Sequence, residues 1–314
     1  MCGICGIVDL NNSPPIRADE LKAMCKTIEH RGPDGTRTMI RDSVALGHTR
    51  LSIIDTETGW QPIANEDESI FVILNGEIYN FQELRDSLRE NGHKFSTASD
   101  TEVIVHLYEQ EGLDFINRLD GMFALAIWDE PNRRLVLARD RIGKKPLFYS
   151  ERNGKLSFAS ETKTLTESRA STREVDPIAL ASYLTYGYVA EPLSIFKGIS
   201  KLPPAHILVY DESGLEIHRY WELEHETDDS MSMADASTEV RRLTDHAVSS
   251  RLISDVPLGF FLSGGLDSSI VVGAAAQASS SKLMTFSIGF EEDSYNELGY
   301  AKTKRVQGVA SMDS

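Results

Sequence analysis

No stretch of this chain approaches the ~20 consecutive apolar residues that a membrane-spanning helix needs, so no transmembrane segment is expected. The opening residues, MCGICGIVDL, have no basic n-region, and their short apolar run is broken by glycine. That excludes a standard secretory signal and points to a soluble, cytoplasmic protein. Cysteine is scarce: three residues, Cys2, Cys5 and Cys25, are too few for a disulfide framework. Basic charge is in deficit. Lys plus Arg number 32 against 48 Asp plus Glu, a formal charge of −16. Such a surface repels phosphate backbones and argues against nucleic acid as a partner. There is also no GxxxxGK[ST] loop, which excludes a Walker A nucleotide site.

What remains is an ordinary globular composition, 41 % hydrophobic and 25 % charged, in 314 residues. That length allows two domains. The first half reads as antiparallel strands with a few helices. Residues 3–9 alternate as a strand. Leu21, Met24, Cys25 and Ile28 make a helical stripe over 18–30. Asn80 and Glu83 are spaced as a capping box, with Gly92 as the stop. A further helix is expected from Asp100 to Gly112. The segments 122–128 and 134–138 read as a hairpin, and so do LFYS and KLSFA around Asn153-Gly154, a type I′ turn pair. Residues 165–177 are polar and read as a connection. Residues 178–222 are transitional, with the strand HILVY, and 224–233 form a polar linker. The texture then changes: a helix over 235–253, a buried strand at 256–262, the loop SGGLDSS, a helix, and a second buried strand, LMTFSIGF. This is a βαβ unit of a parallel sheet.

Cys2 follows the initiator methionine directly. Removal of Met1 by an aminopeptidase would leave a thiol and a free α-amine on one residue. With a reference pKa of about 7.7–8, that amine can take the thiol proton near neutral pH. Cys2 and Cys5 also form a CxxC. No second cysteine pair exists to complete a zinc site, and residues three apart in a strand face opposite sides. Cys5 and Cys25 are therefore expected in the core.

MCGICGIVDL, HRGPDG (30–35), GHTRLSIID (47–55), LNGEIYNFQELR (74–85), SDTE (99–102), LDGMFALAIWD (119–129) and DRIGKKPLFY (140–149) together resemble the class II glutamine amidotransferases. SGGLDSS (263–269) follows where glutamine-dependent asparagine synthetases carry their PP-loop, the pyrophosphate-binding loop of ATP pyrophosphatases. The resemblance implies an α+β N-terminal nucleophile hydrolase fold, four layers αββα with antiparallel sheets. A partial α/β parallel-sheet domain of the adenine nucleotide alpha hydrolase type would follow. The domains expected are a glutaminase over 2–190, a connecting segment over 191–233 and an incomplete synthetase domain over 234–314.

It further implies roles. Cys2 matches the nucleophile, and Asn75 and Gly76 the oxyanion hole. Glutamine would be bound by Arg50, Leu51, Ile54, Asn75, Gly76, Glu77 and Asp100. Arg50 would take its α-carboxylate, and Glu77 and Asp100 would lie near its α-ammonium. Leu262, Ser263, Gly264, Gly265, Asp267, Ser268, Ser269 and Ile288 match the ATP site, with Asp267 a partner for Mg2+-bound pyrophosphate. ATP and Mg2+ are then co-substrates without a prosthetic group. Glutamine and aspartate are the other small-molecule partners, and a homodimer is possible in the family. The expected reaction is release of ammonia at Cys2 for ATP-dependent amidation of aspartate. Alternatives are another carboxylate acceptor, or a remnant that binds glutamine or a partner without turnover. The family's synthetase domain is longer than residues 234–314, and its second glycine-rich motif, SGxGxDE, does not occur here. The likeness fades after about Lys302. The ligase half is therefore expected to be truncated and inactive beside an intact glutaminase.

Overall fold

The computed structural model describes residues 1–11, 15–168, 173–227, 230–280, 282–290, 292 and 298–304, with residues 302–304 as backbone only. The expected fading of likeness beyond Lys302 falls almost wholly outside the described residues. In chain order the elements are β1 (Gly3–Asp9), α1 (Ala18–Thr27), β2 (Gly35–Arg41), β3 (Val44–Arg50), β4 (Ile63–Ala64), β5 (Ile70–Ile78), α2 (Phe81–Glu90), α3 (Glu102–Glu111), β6 (Gly121–Asp129), β7 (Arg134–Arg139), β8 (Phe148–Arg152) and β9 (Lys155–Ala159). They continue with α4 (Thr162–Glu167), α5 (Pro177–Tyr186), β10 (Ser200–Lys201), β11 (His206–Asp211), β12 (Gly214–Arg219), α6 (Met233–Ser249), β13 (Gly259–Phe261), α7 (Leu266–Ala278), β14 (Met284–Phe286) and α8 (Leu298–Lys304). The chain divides into two units, Met1–Leu223 and Glu224–Ser314.

The first unit holds two six-stranded sheets, in the orders β10-β8-β9-β1-β3-β2 and β12-β11-β7-β6-β5-β4. Every strand pairing in them is antiparallel. Strand side chains alternate between faces, and the sequence exploits both. Ile4 and Val8 of β1, with Val44 and Leu46 of β3, share one core with Phe71 and Ile73 of β5 and Leu135 and Leu137 of β7. That core lies between the sheets. The opposite parity, Cys5, Ile7 and Ala45, packs with Leu21, Met24, Cys25 and Ile28 at and after α1 and with Leu165 of α4. On the second sheet α3 packs against β4 and β5. The result is the αββα arrangement. β1 is buried on both faces, which explains why every residue in it is apolar, glycine or the terminal Asp9.

The two expected hairpins form. β6 and β7 pair from Ala124–Arg139 to Asp129–Arg134. Asn153 and Gly154 have φ of 55° and 71°, the left-handed pair that a type I′ turn requires between β8 and β9. The stripe over 18–30 ends early: α1 stops at Thr27 and a 3-10 turn follows at Glu29–Arg31.

Three expectations are corrected. Asn80 makes no capping bond to α2. Its amide instead donates to Arg118 O and its carbonyl accepts from Asp120 N, which ties α2 to the chain entering β6. Residues 191–223 are not a connector, because β10 pairs with β8 and β11 pairs with β7, completing both sheets. The first unit therefore runs to Leu223 rather than 190. In the second unit β13 and β14 do form a parallel pair with α7 between them, but they are short and largely exposed rather than buried. Phe261 is 77 % and Phe286 51 % exposed.

The described part of 224–232 has no regular structure and is mostly exposed. Limited proteolysis is expected to cut there first and to leave a resistant fragment ending between 224 and 232 by mass spectrometry. A stable fragment ending near 190 would mean that β10–β12 do not complete the sheets.

Candidate active site

The inner faces of the two sheets change character at one end. On β1 and β3 the inward parity runs Val8, Ile4, Cys2 and Val44, Leu46, His48, Arg50. On β5 it runs Phe71, Ile73, Asn75, Glu77. Each register begins apolar in the core and ends in a reactive or polar group. These ends line one pocket of about 150 Å3, which also includes Leu51, Ile54, Gly76 and Asp100. All eight residues expected at the first site are thus brought together, although they come from four separate stretches of sequence.

The thiol of Cys2 sits against Leu51. Leu51 N–H donates to Sγ at 3.4 Å, and Sγ donates to Leu51 O at 3.5 Å. Burial raises the thiol's pKa, partly offset by the Leu51 contact. No histidine lines the pocket. Asn75 is fully buried, and neither its Nδ2 nor its Oδ1 has a partner among the described residues. Arg50 Nη1 is likewise buried and unpartnered, while Nη2 donates to Asp55 O and the guanidinium lies 4.9 Å from the Trp60 ring centre. A buried polar atom without a partner costs roughly 1–3 kcal/mol. Three such atoms on one pocket wall are what a site for a polar ligand requires.

Gly76 is a glycine for a packing reason. A Cβ there would stand 2.2 Å from Met122 O and 2.7 Å from Phe123 Cα. The neighbouring strand β6, rather than a ligand, forbids a side chain. Asp100 accepts from Ile78 N–H at 2.9 Å and from the hydroxyls of Ser99 and Thr101. Burial, reinforced by Glu77, nevertheless lifts its carboxyl to about 6.

Sequence reasoning missed two cations. Arg31 donates through Nε to Cys2 O at 3.0 Å and pairs with Glu161 at 3.1 Å. It holds the backbone of Cys2 in place. It lies in the quoted HRGPDG segment, yet its target is reached only across the fold. Lys145, buried within DRIGKKPLFY, lines the pocket and lies 3.1 Å from Met1 Sδ. Burial lowers its pKa. Cys5 and Cys25 are buried with sulfurs 3.6 Å apart, on the face of β1 away from the pocket, so the CxxC spacing has no metal or redox meaning here.

In the second unit Leu262, Ser263 and Ile288 line one hollow of about 310 Å3 with Phe261 and Phe286. Leu262 itself is buried. Gly264 has φ of +87°, and a Cβ on it would meet the backbone of Ala301 at 2.6 Å. Ser263 Oγ accepts from Gly265 N–H and meets Ser268 Oγ at 3.0 Å. Ser269 Oγ donates to Gly265 O and faces the groove between α6 and α7 instead. Asp267 is exposed in the first turn of α7, whose N-terminus has no side-chain cap. The loop therefore presents helix amides, but only part of the expected set shares one hollow.

The glutamine amidotransferase domain family matches residues 1–221, and the asparagine synthase family matches residues 239–304. The chain belongs to the glutamine amidotransferase family. It is 39 % identical over 300 residues to glutamine-hydrolysing asparagine synthetase 3 of Bacillus subtilis, covering 93 % of this chain and 49 % of that protein. It is 37 % identical to a putative glutamine-hydrolysing asparagine synthetase 2 of Methanocaldococcus jannaschii, covering 96 % and 62 %. The chain thus spans about half the length of such relatives. Among solved structures, the glutamine phosphoribosylpyrophosphate amidotransferase of B. subtilis shares the fold, with a TM-score of 0.50 at 17 % identity over 98 % of this chain and 70 % of that one. The two-sheet antiparallel architecture of the first unit is therefore one that the B. subtilis amidotransferase shares. Among the described residues no helix is long and apolar enough to cross a membrane.

The raised carboxyl of Asp100 sets a pH dependence. In the unfolded chain it ionises near 3.8, in the fold near 6. Stability from the neutral form is complete below the lower value, falls between the two, and stays lost above pH 6. Asp100→Asn should thus be more stable than wild type by an amount that grows from about pH 4 to 6 and then levels at up to roughly 3 kcal/mol. Urea unfolding across this range measures it. A difference that does not vary with pH would show that Asp100 ionises normally.

Proposed function

We propose that the first unit hydrolyses glutamine at Cys2. The observation that carries this reading is the convergence of a thiol with buried, unpartnered amide and guanidinium groups in one pocket. Removal of Met1 frees the α-amine of Cys2, which takes the thiol proton. The thiolate attacks the side-chain amide carbon of glutamine. Charge developing on the amide oxygen is received by Asn75 Nδ2 and the Gly76 N–H. The proton held by the α-amine passes to the leaving nitrogen, ammonia departs, and a γ-glutamyl thioester remains. Water then cleaves the thioester to glutamate and restores the thiol. Arg50 holds the substrate carboxylate through its free Nη1. Glu77 and Asp100 hold the ammonium, and Leu51 and Ile54 bound the side chain.

By likeness to the relatives' names, the ammonia serves ATP-dependent amidation of aspartate to asparagine. ATP would meet the second unit at Leu262, Ser263, Gly264, Gly265, Asp267, Ser268, Ser269 and Ile288. The uncapped N-terminus of α7 suits a phosphate. Asp267, exposed beside those amides, offers hard oxygen donors to a Mg2+ ion carried by the pyrophosphate. These residues would bind and orient the triphosphate, and the amidation itself belongs to the longer protein of the relatives.

Cys2→Ala, or an N-terminal extension that resists removal, should abolish glutamate release while circular dichroism stays native. Asn75→Ala should lower kcat by roughly 100- to 1000-fold, as loss of one oxyanion donor does. Arg50→Ala should weaken glutamine by about 2–5 kcal/mol, the usual cost of removing one partner of a buried charge pair. Steady-state glutaminase kinetics on the folded variants measure all three. Full turnover by the blocked protein would overturn the role of Cys2.

A further inference from the structure

A second polar cluster lies outside the pocket. Glu66, in the turn between β4 and β5, and His93, after α2, meet His106 and Glu109 on α3. One ligand-type atom from each of the four lies within 4.8 Å of the others. His106 is fully buried, and both of its ring nitrogens lack a hydrogen-bond partner among the described residues. Its Nδ1 stands 3.5 Å from Glu66 Oε2 and 3.6 Å from Glu109 Oε2. His93 Nδ1 stands 3.6 Å from Glu66 Oε1 and 3.6 Å from Glu109 Oε2.

These four separations are too long for hydrogen bonds, which run to about 3.2 Å. Three of them connect one set of donors, Glu66 Oε2, Glu109 Oε2 and the two Nδ1 atoms, while the fourth reaches Glu66 through its other oxygen. Those three are close to the edges of a tetrahedron around a metal, where ligand bonds of about 2.0–2.1 Å place neighbouring donors about 3.3–3.4 Å apart. The far side of the cluster is also arranged. Glu109 Oε1 accepts from Asn65 Nδ2 at 3.2 Å and Glu66 Oε1 from Lys94 N–H at 2.8 Å, which orients the two carboxylates toward the imidazoles. Behind His106, Glu102 Oε1 lies 3.9 Å from Nε2. That carboxylate is buried and fixed by the amides and hydroxyls of Ser96 and Thr97. It lies behind the ring on the Nε2 side, while Nδ1 faces the other carboxylates of the cluster.

We propose that Glu66, His93, His106 and Glu109 form a structural site for a divalent transition metal, Zn2+ in the first instance. Two imidazoles with two carboxylates suit zinc and not the all-oxygen preferences of Mg2+ or Ca2+. Two carboxylates neutralise the ion. The site joins a turn, the α2–α3 connection and α3 itself, the helix that begins just after the pocket residues Asp100 and Thr101. It stands independently of the glutaminase reading.

The test uses the full chain carrying Cys2→Ala, so that the half-buried thiol does not compete, after dialysis against EDTA. Calorimetric titration with Zn2+ should show one equivalent bound, and the thermal midpoint should rise with it. Co2+ should give the intense visible absorption of a tetrahedral site. His93→Gln and Glu109→Gln, both on partly exposed side chains and expected to fold, should each weaken Zn2+ by more than about 10-fold. Glu102→Gln should weaken it less than either. If no stoichiometric binding occurs, or if His93→Gln and Glu109→Gln bind as the parent does, the cluster is an ion-pair network and the proposal fails.

Discussion

The contact between the inner faces of the two sheets is what the rest of the first unit depends on. Ile4, Val8, Leu46, Ile73 and Leu137 meet there with Trp128 and Phe158, all of them essentially without solvent exposure. A close-packed interior of this kind tolerates little displacement. It fixes the distance between β1 and β5, and therefore the distance between whatever side chains continue those registers past the apolar zone. Cys2 and Asn75 are those side chains. Neither is placed by a loop that could relax. Asn75 lies in β5 and Cys2 directly precedes β1, so a one-residue slip in either register would turn the side chain away.

A terminal residue would still fray without a tether. Arg31 supplies it by donating to the carbonyl of Cys2 while pairing with Glu161, the residue just before α4. The sheet itself holds Gly3 and beyond through pairing with β3. The Leu51 amide and carbonyl grip the thiol from the other side. Cys2 is thus confined by one cation, one strand and one backbone segment.

Much of this architecture is legible in the residues themselves. The strand pattern of residues 3–9, the apolar hairpin segments of β6 and β7 and the Asn153-Gly154 turn are legible because those signals are local. The thiol-and-amine reading of Cys2 comes from its place after Met1, but the grouping of Arg50, Asn75 and Asp100 with it is legible only through the resemblance, since no spacing in the sequence says that four stretches converge. Reading failed where a local signal had a non-local rival. Asn80 has the spacing of a cap, but the chain before β6 offers its amide better partners. Residues 191–223 look transitional because β10 has two residues and β12 is mostly exposed, so neither shows a clean pattern. The strands flanking SGGLDSS read as buried from their apolar residues, although the described part of the second unit leaves their faces largely open. The Glu66–His93–His106–Glu109 cluster had no readable signal, because only His106 and Glu109 share an element.

Electrostatics in the pocket point in one direction. Burial raises Cys2, Glu77 and Asp100 and lowers Arg50 and Lys145, so every one of these groups is pushed toward its neutral form. Such a pocket is poorly satisfied by itself. A zwitterion reverses the situation, because its ammonium restores the charge of the carboxylates and its carboxylate restores that of the guanidinium. An uncharged amide further along the same molecule needs no such pairing and can lie against the thiol and the free amide of Asn75. A ligand with one charge would leave an opposite wall uncompensated in a confined space. The arrangement therefore suits an α-amino acid with a neutral, polar side chain, which is what the proposed hydrolysis of glutamine calls for.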